Sequence, residues 1–507
     1  MAREFDGVDR GQLLLMPPSL GEWLPEDHLV WTVIGAVEQM ELARFRDAYR
    51  LGAAGRAPFD PAVMVALLLY SYARGVRSSR AIERACLEDV ASKLITGMRC
   101  PDHSTVAEFR RRHQLEIEQL FDDVLGLCAE AGMVSVGVIA IDGTKIKASA
   151  AMDSNRDYRQ LATEILAEAE EIDRREDELF GERRGDELPE ALRTPEGRRE
   201  ALAEAKRRIQ ERTGRPQTGD EDTSAPPGEV VGEAKQGRRG WVREGRHQLE
   251  RQRETERRPV PNDRAERLFE AVRRLEQNET VDVAAHRAYE RWRRDARDTK
   301  GRRLGGPVVE FCPSVLPEGQ INLTDPDSRV MRTKGSPPHQ SYNCQAAVNE
   351  HQVVICAEVT VDPPDFGHLE PMLDRALDHL KRHGIGQPPE VVVADAGYWH
   401  TRQITALRAR GLQVLVPPDG GRRDGARPGW TKDIYQQMRH TLQTDTGRVL
   451  YGMRKITIEP VYGQIKHNRG ITRFMRRGRA AVQSEWRLIT ASHNLLKLHT
   501  HWTANPA

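Results

Sequence analysis

The run Val136-Gly-Val-Ile-Ala-Ile141, followed by Asp142-Gly-Thr-Lys-Ile-Lys147, sets the tightest limit on how this chain can fold. It reads as a buried strand, because β-branched side chains fit a pleated, covered surface. The strand brings one carboxylate, Asp142, to its carboxyl end. Gly143 marks a backbone turn there, and Lys145 and Lys147 set cations beside the acid. An Asp-Gly pair at a strand end is explained most simply as a turn. Its company elsewhere in the chain is what lifts Asp142 above that explanation.

A second apolar strand, Val391 to Ala394, runs into Asp395-Ala-Gly397. Upstream, Tyr342–Val348 and Val353–Val361 read as strands joined at Asn349-Glu350, and Gly367–Leu380 as an amphipathic helix. A helix over Thr401–Arg410 and a strand over Val414–Val416 follow. Three strands in an antiparallel meander, a helix, and two strands flanking another helix make a mixed five-stranded α/β sheet with helices on its faces. Ligands bind at the carboxyl ends of such strands, so Asp142 and Asp395 are expected to share a site. A third acid, Glu459, lies in Ile456-Thr-Ile-Glu-Pro-Val-Tyr-Gly-Gln-Ile-Lys466, read as a helix with Pro460 in its first turn. Lys466 comes two turns later and is expected on the same face. Three carboxylates complement two hard, oxygen-seeking divalent cations. A pair of such ions about 3.5–4 Å apart serves in-line phosphoryl displacement.

Charge narrows the partner. With 77 Lys and Arg against 76 Asp and Glu, any basic surface must be local. The densest basic stretch, Lys466, His467, Arg469, Arg473, Arg476, Arg477 and Arg479, follows the Glu459 helix directly and suits a phosphate backbone. Near the amino terminus, Asp60-Pro61 opens an apolar helix and Arg74–Arg80 is a basic turn. Thr105–Glu108 has the pattern of a capping box before Arg110, Arg111 and Arg112. This assembly fits a helix-turn-helix or a plain bundle with a basic face. From about Asn155 to Arg303, arginines and acids mix, with sparse apolar residues such as Leu161, Ile165, Leu268, Val272 and Leu275. That predicts long exposed helices, a hairpin or coiled coil, around a disordered centre at Thr213–Gly240. The expected organisation is a helical DNA-binding domain over 1–132, a catalytic domain over 133–154 and 304–499, and a charged helical insertion over 155–303. Six cysteines without a paired spacing, no apolar run of about 18 residues and no signal pattern predict a soluble cytoplasmic protein.

Asp142 in "AIDGTK", Asp395 in "VVVADAGYW" and Glu459 in "IEPVYGQIKHNRG" resemble the acidic triad of the DDE transposases of bacterial insertion sequences. "PFDPAVMVALLLYSYARGVRSSRAIE" with "PDHSTVAEFRRRH" is similar to the helical amino-terminal domain of one branch, and "SHNLLKL" fits its carboxyl end. The resemblance spans nearly the whole chain outside the insertion. It implies an RNase H-like core, two Mg²⁺ ions for which Mn²⁺ can substitute, and binding to terminal inverted repeats. It also implies cleavage of the element ends and joining of 3′-OH ends to target DNA, by a homodimer in the DNA complex. Many relatives carry a Tyr-Arg-Glu-Lys signature. Tyr451 and Arg454 match its first spacing and Glu459 and Lys466 its last, but the middle gap is one residue longer here unless Lys455 takes the arginine's place. The expected catalytic residues are thus Asp142, Asp395, Glu459 and Lys466, the three acids holding metal. Arg110, Arg111, Arg112, Lys145, Lys147, Arg454, Lys466, Arg469, Arg473, Arg476 and Arg477 are expected on DNA. Tyr398 and Trp399 are expected either to pack beside the strand or to stack on an unpaired base. The competing functions are a two-metal nuclease without strand transfer and an inactive, transposase-derived DNA-binding protein.

Overall fold

The computed structural model describes residues 19–49, 58–180, 237–297, 301–302, 309–333, 335–419 and 433–504. The amino-terminal part is all helix: α1 (Leu29–Glu38), α2 (Ala43–Arg46), α3 (Pro61–Ala73), α4 (Ser79–Glu88), α5 (Val90–Thr96), α6 (His103–Arg112) and α7 (Gln114–Glu130). Asp60 caps α3 through the Ala62 N–H at 2.9 Å, with Pro61 at a position where its missing N–H costs nothing. The capping box expected at Thr105 is displaced. Asp102 caps α6 through the Thr105 N–H at 2.7 Å, and Glu108 pairs with Arg111 instead.

The main sheet contains β1 (Val138–Lys147), and α8 (Tyr158–Phe180) follows after the short β2 (Asn155–Arg156). Next come α9 (Arg238–Glu256), α10 (Arg264–Asp295), the short β3 (Ile321–Asn322), β4 (Arg329–Met331), β5 (His339–Asn349) and β6 (Val354–Thr360). The chain then runs through α11 (Leu369–Arg382), β7 (Val391–Ala394), α12 (Thr401–Ala409), β8 (Gln413–Leu415), α13 (Asp433–Gln443), α14 (Asp445–Thr457), α15 (Glu459–Gly463) and α16 (Arg479–Ala504). The five expected strands stand in the order β6-β5-β1-β7-β8, antiparallel across β6, β5 and β1 and parallel across β1, β7 and β8. The short β4 is a sixth strand, antiparallel to the start of β5. This is an RNase H-like mixed sheet.

The free edge of β6 is covered by side chains of α16. Asn494 bonds both backbone groups of Val354 at 2.8 Å, while Gln483 bonds the Val359 N–H and the Ala357 carbonyl. Amides along one helix thus satisfy an edge that would otherwise invite pairing. Helix α16 also packs against α7 and α3, so one continuous core runs from Leu67 and Phe121 through Ile139 and Val392 to Trp486.

Leu161, Ile165, Leu268, Val272 and Leu275, sparse in the sequence, gather into a second small core with Ile321. Helices α9 and α10 lie close where Gly245 leaves room: a Cβ there would come within 2.9 Å of Val281 Cγ1. The helices between Tyr158 and Asp295 are moored to the rest of the chain by Arg257–Glu118 (2.6 Å), Arg329–Glu250 (2.8 Å) and Arg274–Asp327. Of the centre expected to be disordered, 213–236 lies outside the described residues, and from Arg238 the chain is helical.

Candidate active site

The parallel register of β1 and β7 runs from Val138 opposite Val391 to Ile141 opposite Ala394. Asp142 and Asp395 are the next residue on each strand, so the two acids stand side by side where that pairing ends. Strand β1 itself does not stop there. It continues to Lys147 against β5, which places Gly143 inside a strand rather than at the expected turn. The glycine is there for space: a Cβ would meet Asp365 Oδ1 at 2.3 Å, Gln345 Nε2 at 2.4 Å and Asn343 Oδ1 at 2.9 Å.

Asp142 Oδ1 accepts from the Gly143 N–H at 2.8 Å, and Oδ2 accepts from Arg454 Nη1 at 2.9 Å. Burial and the neighbouring Asp395 push the Asp142 carboxyl up to about 7, with Arg454 opposing. Asp395 caps a turn of 3₁₀ helix through the Gly397 N–H at 2.8 Å, and burial raises its carboxyl as well. Tyr398 and Trp399, next in the chain, are buried; Tyr398 donates to Gln345 Oε1 and Trp399 packs edge-on against Tyr435.

Glu459 opens α15, with Ile458 alone between it and the end of α14. Pro460 cannot donate to the Ile456 carbonyl, which breaks the helix at this point. Gln352, at the β5–β6 turn with φ of 60°, supplies the missing donor: its Nε2 bonds the Ile456 carbonyl at 2.8 Å. Lys497 holds the same side chain by its Oε1, and His493 bonds its backbone carbonyl at 3.0 Å. The "SHNLLKL" helix therefore braces the kink that carries Glu459. Replacing Gln352 with alanine is expected to loosen Glu459 and to slow about tenfold any reaction that uses its carboxylate. Thermal stability should hardly change, because the freed carbonyl can reach water; rate measurements and melting curves of the variant check this.

The Glu459 carboxylate is half exposed, and Arg454 Nη2 tethers it at 3.0 Å. One guanidinium thus spans Asp142 and Glu459, while Lys455 is exposed. Arg454, not Lys455, stands between the acids. Lys466 turns elsewhere. From Gln464 to Asn468 the helix widens to π geometry, so the same-face relation to Glu459 expected for a regular helix does not apply. The Lys466 ammonium, held below its usual range by burial, donates to the Lys145 carbonyl at 3.0 Å. Tyr462 joins the same helix to β1, donating to the Asp142 carbonyl at 2.6 Å.

Among the described residues no three His, Cys, Asp or Glu side chains converge closely enough to enclose a metal ion. The donor chemistry nevertheless fits hard divalent cations. The acids offer oxygen only, two of them repel each other in a buried position, and the buried acceptor Asn343 Oδ1 beside them lacks a hydrogen bond. Arg454 already occupies one oxygen each of Asp142 and Glu459 as a cation would.

The candidate DNA-contacting cations divide sharply. Arg110 is buried and bonds Tyr72, the Arg77 carbonyl and Ser79; Arg469 bonds the Ile489 carbonyl and Ser492; Arg476 reaches Gln114. All three guanidinium groups turn toward groups of the fold, Arg110 buried and Arg469 and Arg476 part-buried. Arg111 and Arg112 are exposed and paired with Glu108. Lys147 is part-exposed and Arg473 exposed; they meet where residues 472–474 pair with the end of β1. Exposed Arg477 bonds the Ser149 carbonyl nearby. The loop is propped from inside: Arg77 bonds the buried Glu485, which accepts from the Met475 and Arg476 N–H groups.

The comparisons agree with this geometry. Residues 18–112 match the family described as transposase domain (DUF772), and residues 318–495 match the transposase DDE domain. The second match contains Asp395, Glu459 and Lys466, whereas Asp142 lies before it, beyond the intervening helices. No curated protein and no solved structure matches the chain. Among the described residues no helix is long and apolar enough to cross a membrane. An RNase H-like sheet with two acids at adjoining strand ends, and two transposase-family matches that together cover over half of the chain, place this protein among the DDE transposases of bacterial insertion sequences.

Proposed function

We propose that this transposase cuts DNA at the terminal inverted repeats of its element and joins the freed 3′-OH ends to target DNA, using Asp142, Asp395 and Glu459. The observation that carries this reading is the pairing of Asp142 and Asp395 at the ends of adjacent parallel strands, with Arg454 linking Asp142 to Glu459. Bound Mg²⁺ would polarise the phosphoryl group and ease deprotonation of the attacking oxygen. The three acids would hold two such ions, and Mn²⁺ would substitute. Without cations, burial and Asp395 hold the Asp142 carboxyl up at about 7, and a bound divalent cation would bring it down and keep it ionised.

Arg454 would exchange its acid partners for a phosphate when DNA and cations enter. Lys145, Lys147, Arg473 and Arg477, along the end of β1 and the loop beside it, would position the backbone without reading sequence. Lys466 would act from beneath, fixing β1 through the Lys145 carbonyl. Two copies would act together, one per element end. The test uses pre-cleaved repeat ends and a target plasmid. The proposal expects joined products that require a divalent cation. Cleavage of intact ends without any joining would instead assign a nuclease.

A further inference from the structure

A carboxylate that the sequence did not nominate stands at the same sheet end as Asp142 and Asp395. Asp365, in the loop after β6, reaches over Gly143 into the space that a Cβ would fill. Its Oδ1 accepts two amide hydrogen bonds, from Asn343 Nδ2 and Gln345 Nε2, each at 2.8 Å. Asn343 and Gln345 lie two apart on β5, hence on one face, and both are buried. Gln345 is itself oriented, because the Tyr398 hydroxyl donates to its Oε1. With Oδ1 clamped, Oδ2 is turned toward the Asp395 turn, 3.5 Å from where a Gly397 Cβ would stand.

Arranging three side chains and two glycines around one loop carboxylate is more than a loop needs for anchoring. Asp365 raises the electrostatic cost of charging both Asp142 and Asp395, so on stability alone the arrangement is unfavourable. Asn343 Oδ1 adds a buried oxygen with no hydrogen-bond partner at the same place. Arg454 stands against Asp142, Glu459 and Asp395, and Asp365 adds a further acid beside Asp142 and Asp395, a crowding of acids that a divalent cation would relieve.

We infer that Asp365 is a positioning residue of the catalytic centre, a fourth carboxylate clamped by Asn343 and Gln345 that strengthens the hold of Asp142 and Asp395 on a divalent cation. The inference rests on the metal-dependent reading of the site. It differs from the triad in place and action: Asp365 lies in the loop after β6, held by β5, and acts through its two neighbours. An asparagine there keeps the shape and the amide contacts to Oδ1, and removes the charge.

The test measures Mn²⁺ binding to the full-length, DNA-free protein by calorimetry, for the wild type, Asp365→Asn and Asp142→Asn, with melting curves in chelator. Asp365→Asn is expected to weaken Mn²⁺ binding about tenfold, the usual scale for a group behind the metal ligands. Its melting temperature in chelator should be equal or higher, since a like charge has gone. Wild-type Mn²⁺ affinity in Asp365→Asn would overturn the inference, and so would a lowered melting temperature in chelator, the mark of a merely structural aspartate. Should Asp142→Asn also bind Mn²⁺ normally, the metal-dependent reading falls with it. Should only Asp142→Asn lose binding, the role of Asp365 alone is refuted.

Discussion

Asp142→Asn is expected to reduce cleavage of element ends at least about a thousandfold, the scale set by loss of a group that stabilises transition-state charge in a water-poor site. Binding to the same ends should stay within about twofold. The separation follows from the architecture. Asp142 is enclosed by Gly143, Arg454 and the turn at Asp395, whereas Lys147, Arg473 and Arg477 lie further along β1 and its neighbouring loop. An amide has nearly the shape of the carboxylate, so the bond from Arg454 can persist while the charge is lost. Cleavage of labelled repeat DNA in Mg²⁺, beside a gel-shift measurement of end binding, reads both effects. Cleavage within about threefold of wild type would remove Asp142 from the mechanism.

Arg274→Ala should be the most damaging change to stability, at about 3–5 kcal/mol. Arg274 is buried in α10 and bonds Glu270 at 2.6 Å and Asp327 in the loop before β4. Without it, Asp327 keeps the Arg479 N–H at 2.8 Å but faces Asp325, whose own carboxyl burial and Asp327 push up to about 6. A buried anion left beside another acid is the costly half of a broken ion pair. Urea denaturation monitored by circular dichroism gives the number. The joint replacement Arg274→Met with Asp327→Leu should recover much of the loss, since no unpaired charge is then left buried. A single-variant loss below about 1 kcal/mol would mean that this pair does not moor the inserted helices.

The sheet was legible because its strands are apolar and β-branched, and Asp142 and Asp395 were legible because each interrupts such a run. The reading of Gly143 as a turn failed for an instructive reason. The polar residues after Asp142 still belong to a strand, with β5 continuing where β7 stops and residues 472–474 joining only at Lys147. Charge density nominated Arg110, Arg469 and Arg476 for DNA, and nothing local distinguishes a guanidinium that bonds inward carbonyls from one that faces solvent. Arg454 resolves only in three dimensions, since spacing alone left Lys455 as an alternative. Asp365 was missed because it follows Pro363-Pro364 in a loop. The available signal was on β5: Asn343 and Gln345 place two amides on one face of an otherwise buried strand, where an uncompensated amide is expensive.

The central claim is that Asp142, Asp395 and Glu459 form one metal-dependent centre, although Arg454 now lies between the first and the last. Anomalous scattering from Mn²⁺ in a complex with repeat-end DNA tests it directly. The account predicts manganese peaks coordinated by Asp142 and Asp395, with Glu459 drawn in and the Arg454 guanidinium moved from the acids to a phosphate. A complex in which Arg454 still bridges Asp142 and Glu459 and no manganese lies between the acids would contradict it.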